Sequence, residues 1–314
     1  MDTFYSLFRT RKGLIGAGIF LILVLSAIFI IARGHRKTTV DPEFSKYIES
    51  YTTGIISKTS TIKIRLASEV QVTHEQNGAL SDNVFSFSPS IKGKAYWIDA
   101  RTIEFRPEGK LDPDKGYSAE FKLGKVITVE SKFKTFKFSF QTIKPDFTIT
   151  FNGLQTATST SLDKMKLTGV IQTADNEESV KVEKLLSANF VNPITISWEH
   201  NPVAKTHRFV VTQLTRGNGT INKLTLNWDG SSLDINKQGN QSFDIPAIGD
   251  FRVLDVRAVQ DNDQYVLVQF SDNILVGQDL TGLISLSNTT SSAYTIEGSQ
   301  VKVYGAEQFR VTTR

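Results

Sequence analysis

The chain has 314 residues, a net charge of +4 at neutral pH and no cysteine. Without cysteine it has no disulfide framework, thiolate metal site, cysteine nucleophile or thioester, and its small, spread charge does not by itself indicate nucleic-acid binding. Its 21 phenylalanines, many of which alternate with polar residues, favour sheets that pack face to face.

Residues 13–32, GLIGAGIFLILVLSAIFIIA, form an apolar run without charge or proline. As a helix this run would span about 30 Å, the thickness of a bilayer's hydrocarbon core. We predict an uncleaved transmembrane signal-anchor after a cytoplasmic tail, residues 1–12, because the run is long for a signal peptide and lacks a small-x-small cleavage site. A buried core helix is the alternative. Basic residues flank the run equally, so their distribution does not determine the orientation of the helix. We place the C-terminal arm in the periplasm or outside the cell because it resembles an exported β-protein.

A polar linker, residues 33–52, precedes a first β-rich block, residues 53–144. Its short alternating strands and turn signals, including a hairpin turn at residues 99–101, predict an immunoglobulin-like β-sandwich. In the last predicted strand, residues 136–140, three phenylalanines share one face and Lys137 points to the other. We therefore expect a core face there rather than a basic and aromatic platform for nucleic acid.

A second β-rich block covers residues 145–249 and begins at a Lys-Pro-Asp boundary. It predicts a β-sandwich with one short helix, which we place within residues 175–188. Asp175 and Glu178 have the spacing of a capping box, and Val182 and Leu185 share one face of that helix.

The third block, residues 250–314, repeats the pattern of the first block. The matching segments, in chain order, are 265–274 with 61–70, 284–286 with 85–87, 293–296 with 95–98 and 301–303 with 103–105. We therefore expect related domains. By this comparison roughly a third of the third domain is missing, which predicts that the chain is the N-terminal piece of a longer protein.

Four histidines are candidates for a metal site: His35, His74, His200 and His207. His200 and His207 flank a predicted turn at residues 201–202 and could face each other across a hairpin. Two imidazoles could begin a zinc site, but no third ligand is evident, so we expect exposed hairpin histidines without a metal.

The remaining motifs favour ordinary surface features. Asp112 with Asp114, and Asp261 with Asp263, have the spacing of some calcium loops but lack the glycine and distal glutamate of an EF-hand, so we expect solvated turns. Three N-glycosylation sequons matter only in a eukaryotic secretory pathway; they begin at Asn218, Asn240 and Asn288. No nucleotide loop, nucleophile elbow or Ser-His-Asp set is recognisable, so we expect no enzyme, catalytic residue, cofactor or metal.

Two blocks resemble known domain families. The first block resembles bacterial immunoglobulin-like domains at Phe85–Pro89, Gly93, Trp97, Arg101–Pro107, Leu111, Tyr117 and Phe138–Thr142. The third block resembles macroglobulin-type domains at Val268–Ile274, Gln278–Leu280 and Gly282–Ile284. This order after an anchor resembles the start of bacterial alpha-2-macroglobulins, which are large envelope proteins that trap proteases.

The resemblance implies a role and no functional residue. The chain would be the membrane anchor and N-terminal scaffold of an endopeptidase inhibitor, with the bait region and thioester outside these residues. Its partners would be the membrane, later domains of the same chain and target proteases, without nucleic acid. The main alternative is an adhesive or structural immunoglobulin-like envelope protein that binds a protein or polysaccharide, and a small binding domain for a soluble ligand is a third possibility.

Overall fold

The computed structural model describes residues 40–70, 78–80, 83–158, 162–260, 264–284 and 293–305. The predicted anchor, residues 13–32, lies outside these ranges, as do His35, His74 and the Asp261–Asp263 pair. No helix within the described ranges is both long enough and apolar enough to cross a membrane. The regular structure of these ranges is almost entirely β, as the sequence predicts for the part after the anchor.

The chain divides into two compact units between Lys144 and Pro145. The described part of the first unit contains eight strands and three 3-10 turns. The strands are β1 (Ile48–Tyr51), β2 (Gly54–Ile56), β3 (Ile62–Leu66), β4 (Phe85–Ser88), β5 (Gly93–Trp97), β6 (Thr102–Pro107), β7 (Gly116–Phe121) and β8 (Phe136–Thr142), and the turns are Pro42–Lys46, Leu123–Lys125 and Ser131–Phe133. The strands form two sheets of order β1-β3-β6-β5 and β2-β8-β7-β4, which enclose one core.

Strand β8 shows how the alternating phenylalanines build this core. Phe136, Phe138 and Phe140 are buried, whereas Lys137 between them is exposed. Tyr51 on β1 meets the rings of Phe136 and Phe138 edge-on, with ring centroids 4.9 and 5.7 Å away. The predicted division into a core face and a lysine face is therefore confirmed.

The second unit begins with seven strands, one α-helix and a 3-10 turn. The elements are β9 (Phe147–Thr156), β10 (Lys164–Thr173), α1 (Ser179–Glu183), β11 (Leu186–Asn189), β12 (Thr195–Asn201), β13 (Thr206–Thr215), β14 (Asn222–Asp229), the turn Gly230–Leu233 and β15 (Gln238–Ile245). Sheets of order β12-β13-β10-β9 and β11-β14-β15 enclose a second core.

The helix predicted within residues 175–188 is much shorter than expected. It covers only Ser179–Glu183, and Leu186–Asn189 forms strand β11 along β14. Asp175 is buried and accepts a hydrogen bond from the Asn176 backbone N–H at 2.8 Å, and the N-cap position is Glu178, whose side chain makes no capping hydrogen bond. The prediction was wrong because all four residues of Leu186–Asn189 pair with β14, and such a tertiary contact overrides local helix propensity.

A four-stranded sheet with a smaller core completes the second unit; we call it the third sheet because it belongs to the third block of the sequence. Its strands are β16 (Val253–Gln260), β17 (Gln264–Phe270), β18 (Ala293–Glu297) and β19 (Gln300–Tyr304). The order β16-β17-β19-β18 is the order of β1-β3-β6-β5, and every neighbouring pair is antiparallel in both sheets.

The two sheets also share their register. The corresponding pairs are Ile62–Phe105 with Val266–Val303, and Ile64–Ile103 with Val268–Val301. The sequence match for β18 is wrong by one residue, because Tyr294 opposes Val303 as Ala95 opposes Phe105. Four residues separate the paired Ile296 and Val301, whereas five separate the corresponding Trp97 and Ile103. A shift of one residue exchanges the two faces of a strand.

The same irregularity occurs in the first strand pair of each sheet. The register of β1 against β3 shifts between Ile48 and Ser50, and that of β16 against β17 shifts between Val253 and Asp255. These positions coincide when β3 is placed on β17 by the shared register. Because a bulge depends on local geometry and is retained among related domains, this match extends the repeat to a strand in which the sequence shows none.

Candidate functional site

The two histidines of the second unit face each other. His200 on β12 is paired with His207 on β13, and their Nδ1 atoms are 2.8 Å apart. The predicted juxtaposition is confirmed, but the prediction that both are exposed is wrong for His207, of which only 2% is accessible. His207 lies on the same face of β13 as the buried Phe209 and Val211, two and four residues later, so it points into the core.

Polar groups extend the pair at both ends. Glu183 Oε1 lies 3.1 Å from His200 Nε2, and Thr173 Oγ1 lies 3.4 Å from His207 Nε2. The Thr173 hydroxyl donates to the backbone carbonyl of Asp175 at 2.8 Å. These contacts form one chain of hydrogen bonds from an exposed carboxylate to a buried hydroxyl.

The hydrogen bond donated by Thr173 indicates which histidine nitrogens carry protons along this series of contacts. Because the Thr173 hydroxyl donates to a carbonyl, its oxygen accepts from the N–H at His207 Nε2. His207 Nδ1 is then an acceptor for an N–H at His200 Nδ1, and the contact of His200 Nε2 with Glu183 extends the series to a carboxylate. A second proton on His207, at Nδ1, would set two donors against each other.

The pair does not form a metal site with the groups around it. Glu183 contacts the ring nitrogen of His200 that points away from His207, so the three side chains do not converge. Across the described ranges, no group of three or more His, Cys, Asp or Glu side chains has a geometry that could hold a metal ion.

The acidic pair Asp112 and Asp114 lies in a turn with internal hydrogen bonds. Asp114 has a positive φ of 51°, and its Oδ1 accepts from Gln141 Nε2 at 3.2 Å. The backbone N–H of Asp112 donates to the Tyr117 hydroxyl at 3.1 Å. This arrangement is that of a turn, as the sequence predicts.

We expect acid to weaken the second unit through His207. Burial, and to a smaller extent the neighbouring His200, lower the pKa of His207 below its usual 6.5. Below that pH the unfolded chain binds a proton that the folded chain does not, so stability is greatest above pH 6.5 and falls as pH decreases towards the folded pKa. Urea unfolding at about pH 7.5 and about pH 5 should show this loss. It should be smaller in His207→Gln, and an equal loss in both proteins would contradict the assignment.

A second polar cluster, which the sequence did not reveal, surrounds Arg216 at the end of β13. The Arg216 side chain is fully buried. Its guanidinium donates to the carbonyls of Pro246, Leu162 and Ala247 at 3.0, 3.1 and 2.7 Å. It also donates to both carboxylate oxygens of Asp272, at 2.5 and 3.1 Å. A single arginine in a sequence carries no signal that would identify such a position.

Asp272 follows β17, so this ion pair joins the second core to the third sheet. Burial alone would raise the pKa of Asp272, but hydrogen bonds from Arg216 and Ser271, with the charge of Arg216, lower it below its usual 3.8. The Ser271 hydroxyl donates to Asp272 Oδ2 at 2.7 Å. Arg257 on β16 adds a further link by donating to the Asn152 carbonyl at 2.7 Å. We call the Arg216–Asp272 pair and its three carbonyls the arginine junction.

Comparisons with known proteins do not identify the chain. No protein-family model matches it, and no curated protein matches it. Among solved structures, L,D-transpeptidase 3 from Mycobacterium tuberculosis aligns over 63% of this chain and 75% of its own, with 11% identity and a TM-score of 0.22. A TM-score of that size carries no argument about fold or function.

Proposed function

We propose that this chain is the membrane anchor and N-terminal scaffold of an alpha-2-macroglobulin-like protease-trapping inhibitor. In this proposal residues 13–32 cross the membrane once, and tandem immunoglobulin-like and macroglobulin-like β-sandwiches form the arm in the periplasm or outside the cell. The bait region and thioester belong to other parts of the polypeptide, since these 314 residues contain no cysteine.

The observation that carries the proposal is the repeat of one backbone pattern in two sheets: the first sheet, β1-β3-β6-β5, and the third sheet, β16-β17-β19-β18. Strand order, register and bulge coincide, and three backbone hydrogen bonds beyond the strand ladders do so as well. In the first sheet these bonds join, in order, Leu66 N–H to Arg101 O, Ala67 N–H to Tyr47 O, and Val70 N–H to Ala100 O. Their counterparts in the third sheet join, in the same order, Phe270 N–H to Ser299 O, Ser271 N–H to Arg252 O, and Ile274 N–H to Gly298 O. Repetition at this level supports tandem related domains, the organisation of the family that the sequence resembles.

The role of the arm is mechanical rather than enzymatic. The arginine junction links the second core to the third sheet through a buried, charge-assisted contact, which suits a scaffold that transmits position. The Thr173 hydroxyl beside the histidine pair donates its proton to the carbonyl of Asp175, so it is not oriented to give that proton to His207. This arrangement favours a structural contact over catalysis.

An adhesive immunoglobulin-like arm is the second candidate. It shares the succession of β-sheets on which the first proposal rests. The two candidates differ in one result, because only the trap should hold a protease in an active but shielded form on the native membrane protein.

A further inference from the structure

Strand β4 has one unpaired backbone edge in the first unit. It is the last strand of the sheet β2-β8-β7-β4, and no strand of the described ranges pairs with its outer side. The Lys122 N–H donates to the Val84 carbonyl at 2.8 Å, just before β4 begins. Because hydrogen-bonded pairs alternate along an antiparallel ladder, every second residue from Val84 onward bonds to β7, whereas Phe85 and Phe87 direct their N–H and C=O groups outward.

The outward edge of β4 borders a cleft of about 710 Å³ between the two sheets of the first unit. Strand β5, the last strand of the other sheet, lines the opposite side. The cleft floor is aromatic: the half-buried Phe87 has its ring centroid 5.8 Å from that of Phe85 and 4.7 Å from that of Phe105. Gly93 on β5 leaves this floor uncovered, since a Cβ atom there would lie 2.6 Å from Phe105 Cζ. An apolar surface therefore lies directly beside unpaired backbone groups.

The sequence of β4 does not oppose strand pairing. Charged side chains and proline are two features by which edge strands discourage it. Strand β5 carries Lys94, whereas the four residues Phe85–Ser88 include neither a charge nor a proline. At four residues, β4 offers an edge about 13 Å long.

The opposite side of the cleft already holds a short extended backbone. The Trp97 N–H donates to the Gly78 carbonyl at 3.1 Å, and the Leu80 N–H donates to the Ala95 carbonyl at 2.9 Å. These contacts cover one end of β5 only, and Leu80 lines the cleft. The opening between the sheets therefore accepts a polypeptide segment against a strand edge.

We propose that the β4 edge and its cleft bind an extended, acidic segment of another polypeptide by strand addition. The backbone of a second strand matches a row of N–H and C=O groups at strand spacing in full, which selects a polypeptide as the ligand. Side chains at every second position of the added strand would lie over Phe87 and Phe105, so these positions suit apolar residues.

The charge of the cleft favours acidic residues at the remaining positions. Lys92 and Lys94 are exposed and contribute two positive charges, against the single negative charge of Glu108. Complementary charge speeds association and selects among strands that could pair equally well through their backbones. This site does not depend on protease trapping and would serve either kind of arm.

The test titrates the full chain, purified in detergent, with the peptide acetyl-Glu-Val-Thr-Val-Thr-Val-Glu-amide while calorimetry records binding. The peptide should bind saturably at millimolar concentration or below, and more weakly as salt is added, because lysines and glutamates attract each other. Hydrogen exchange of the Phe85 and Phe87 amides should slow when the peptide is bound, since these N–H groups then donate to it.

Two methylated peptides separate backbone pairing from apolar contact alone. One carries methyl groups on its three valine nitrogens, and the other carries them on both threonine nitrogens and the last glutamate nitrogen. Alternate residues of a strand direct their N–H groups to opposite edges, so only one of the two peptides loses the donors that face β4. That peptide should bind at least about tenfold more weakly, and the other should bind as the parent peptide does.

A protein variant tests the charge of the cleft without touching the core. Lys92→Glu/Lys94→Glu reverses two exposed charges and should weaken binding at least about tenfold at low salt, while the thermal melting curve is retained. Lys115→Glu/Lys144→Glu makes the same change of net charge at exposed positions outside the cleft and should bind as the parent protein does.

Three results would each overturn the proposal. The first is no binding of the unmethylated peptide at millimolar concentration. The second is unchanged exchange of the Phe85 and Phe87 amides at saturating peptide, and the third is an equal effect of the two methylation patterns. Equal binding by both charge variants would remove the preference for acidic segments. None of these results bears on protease capture.

Discussion

Replacing Arg216 by methionine should destabilise the second unit by about 3–5 kcal/mol, because it leaves the largely buried carboxylate of Asp272, whose side chain is 14% exposed, without its partner. The loss arises from an uncompensated charge and from three backbone carbonyls that also lose their donor. Urea unfolding of the full chain, followed by the fluorescence of Trp198 and Trp228, measures the effect.

The matched variant removes both members of the pair. In Arg216→Met/Asp272→Leu no buried charge remains, so stability should recover most of the loss, although the three carbonyls stay without a donor. If the single and double variants were equally unstable, the carbonyl contacts rather than the ion pair would hold the arginine junction together. If neither variant were destabilised, the junction would not join the second core to the third sheet.

Replacing Phe138 by alanine should destabilise the first unit by about 3–5 kcal/mol, the usual cost of deleting a fully buried aromatic ring. The ring is wholly inaccessible and packs beside Tyr51 and Phe136. Lys137→Ala is the neighbouring control. That lysine is 65% exposed and forms a surface ion pair with Glu120, so its loss should cost less than about 1 kcal/mol.

Equilibrium unfolding reported by Trp97, which is buried in the same core, distinguishes the two variants. A large effect of Lys137→Ala with a small effect of Phe138→Ala would reverse the assignment of the two strand faces. Equal effects would mean that β8 is not a core strand.

Features that depend on neighbouring residues could be predicted from the sequence. The hairpin at residues 99–101 forms because Asp99 Oδ1 accepts from the backbone N–H groups of Arg101 and Thr102, at 2.7 and 2.8 Å. The alternating burial of β8 follows in the same way from the period of a strand. Both signals lie within a few residues of the structure that they specify.

Features that depend on distant partners could not be predicted. Leu186 joins a strand because β14 offers it a partner, Trp228, 42 residues later, which capping-box spacing cannot show. Arg216 becomes buried because Asp272 and three carbonyls converge on it from other segments. His207 was expected to be exposed because hairpin position was visible in the sequence and the core beneath β13 was not.

The measurement that tests the proposed function most directly is protease capture by the native protein. An antibody against residues 53–144 retrieves it from membranes, and the immobilised protein is incubated with active trypsin or, as a control, with trypsin whose active site has been blocked. We predict that only active trypsin stays on the resin, where it still cleaves a small peptide substrate but is shielded from a protein inhibitor. Trypsin that washes away, or that remains fully open to the inhibitor, would contradict the trap and leave the adhesive arm as the function of this chain.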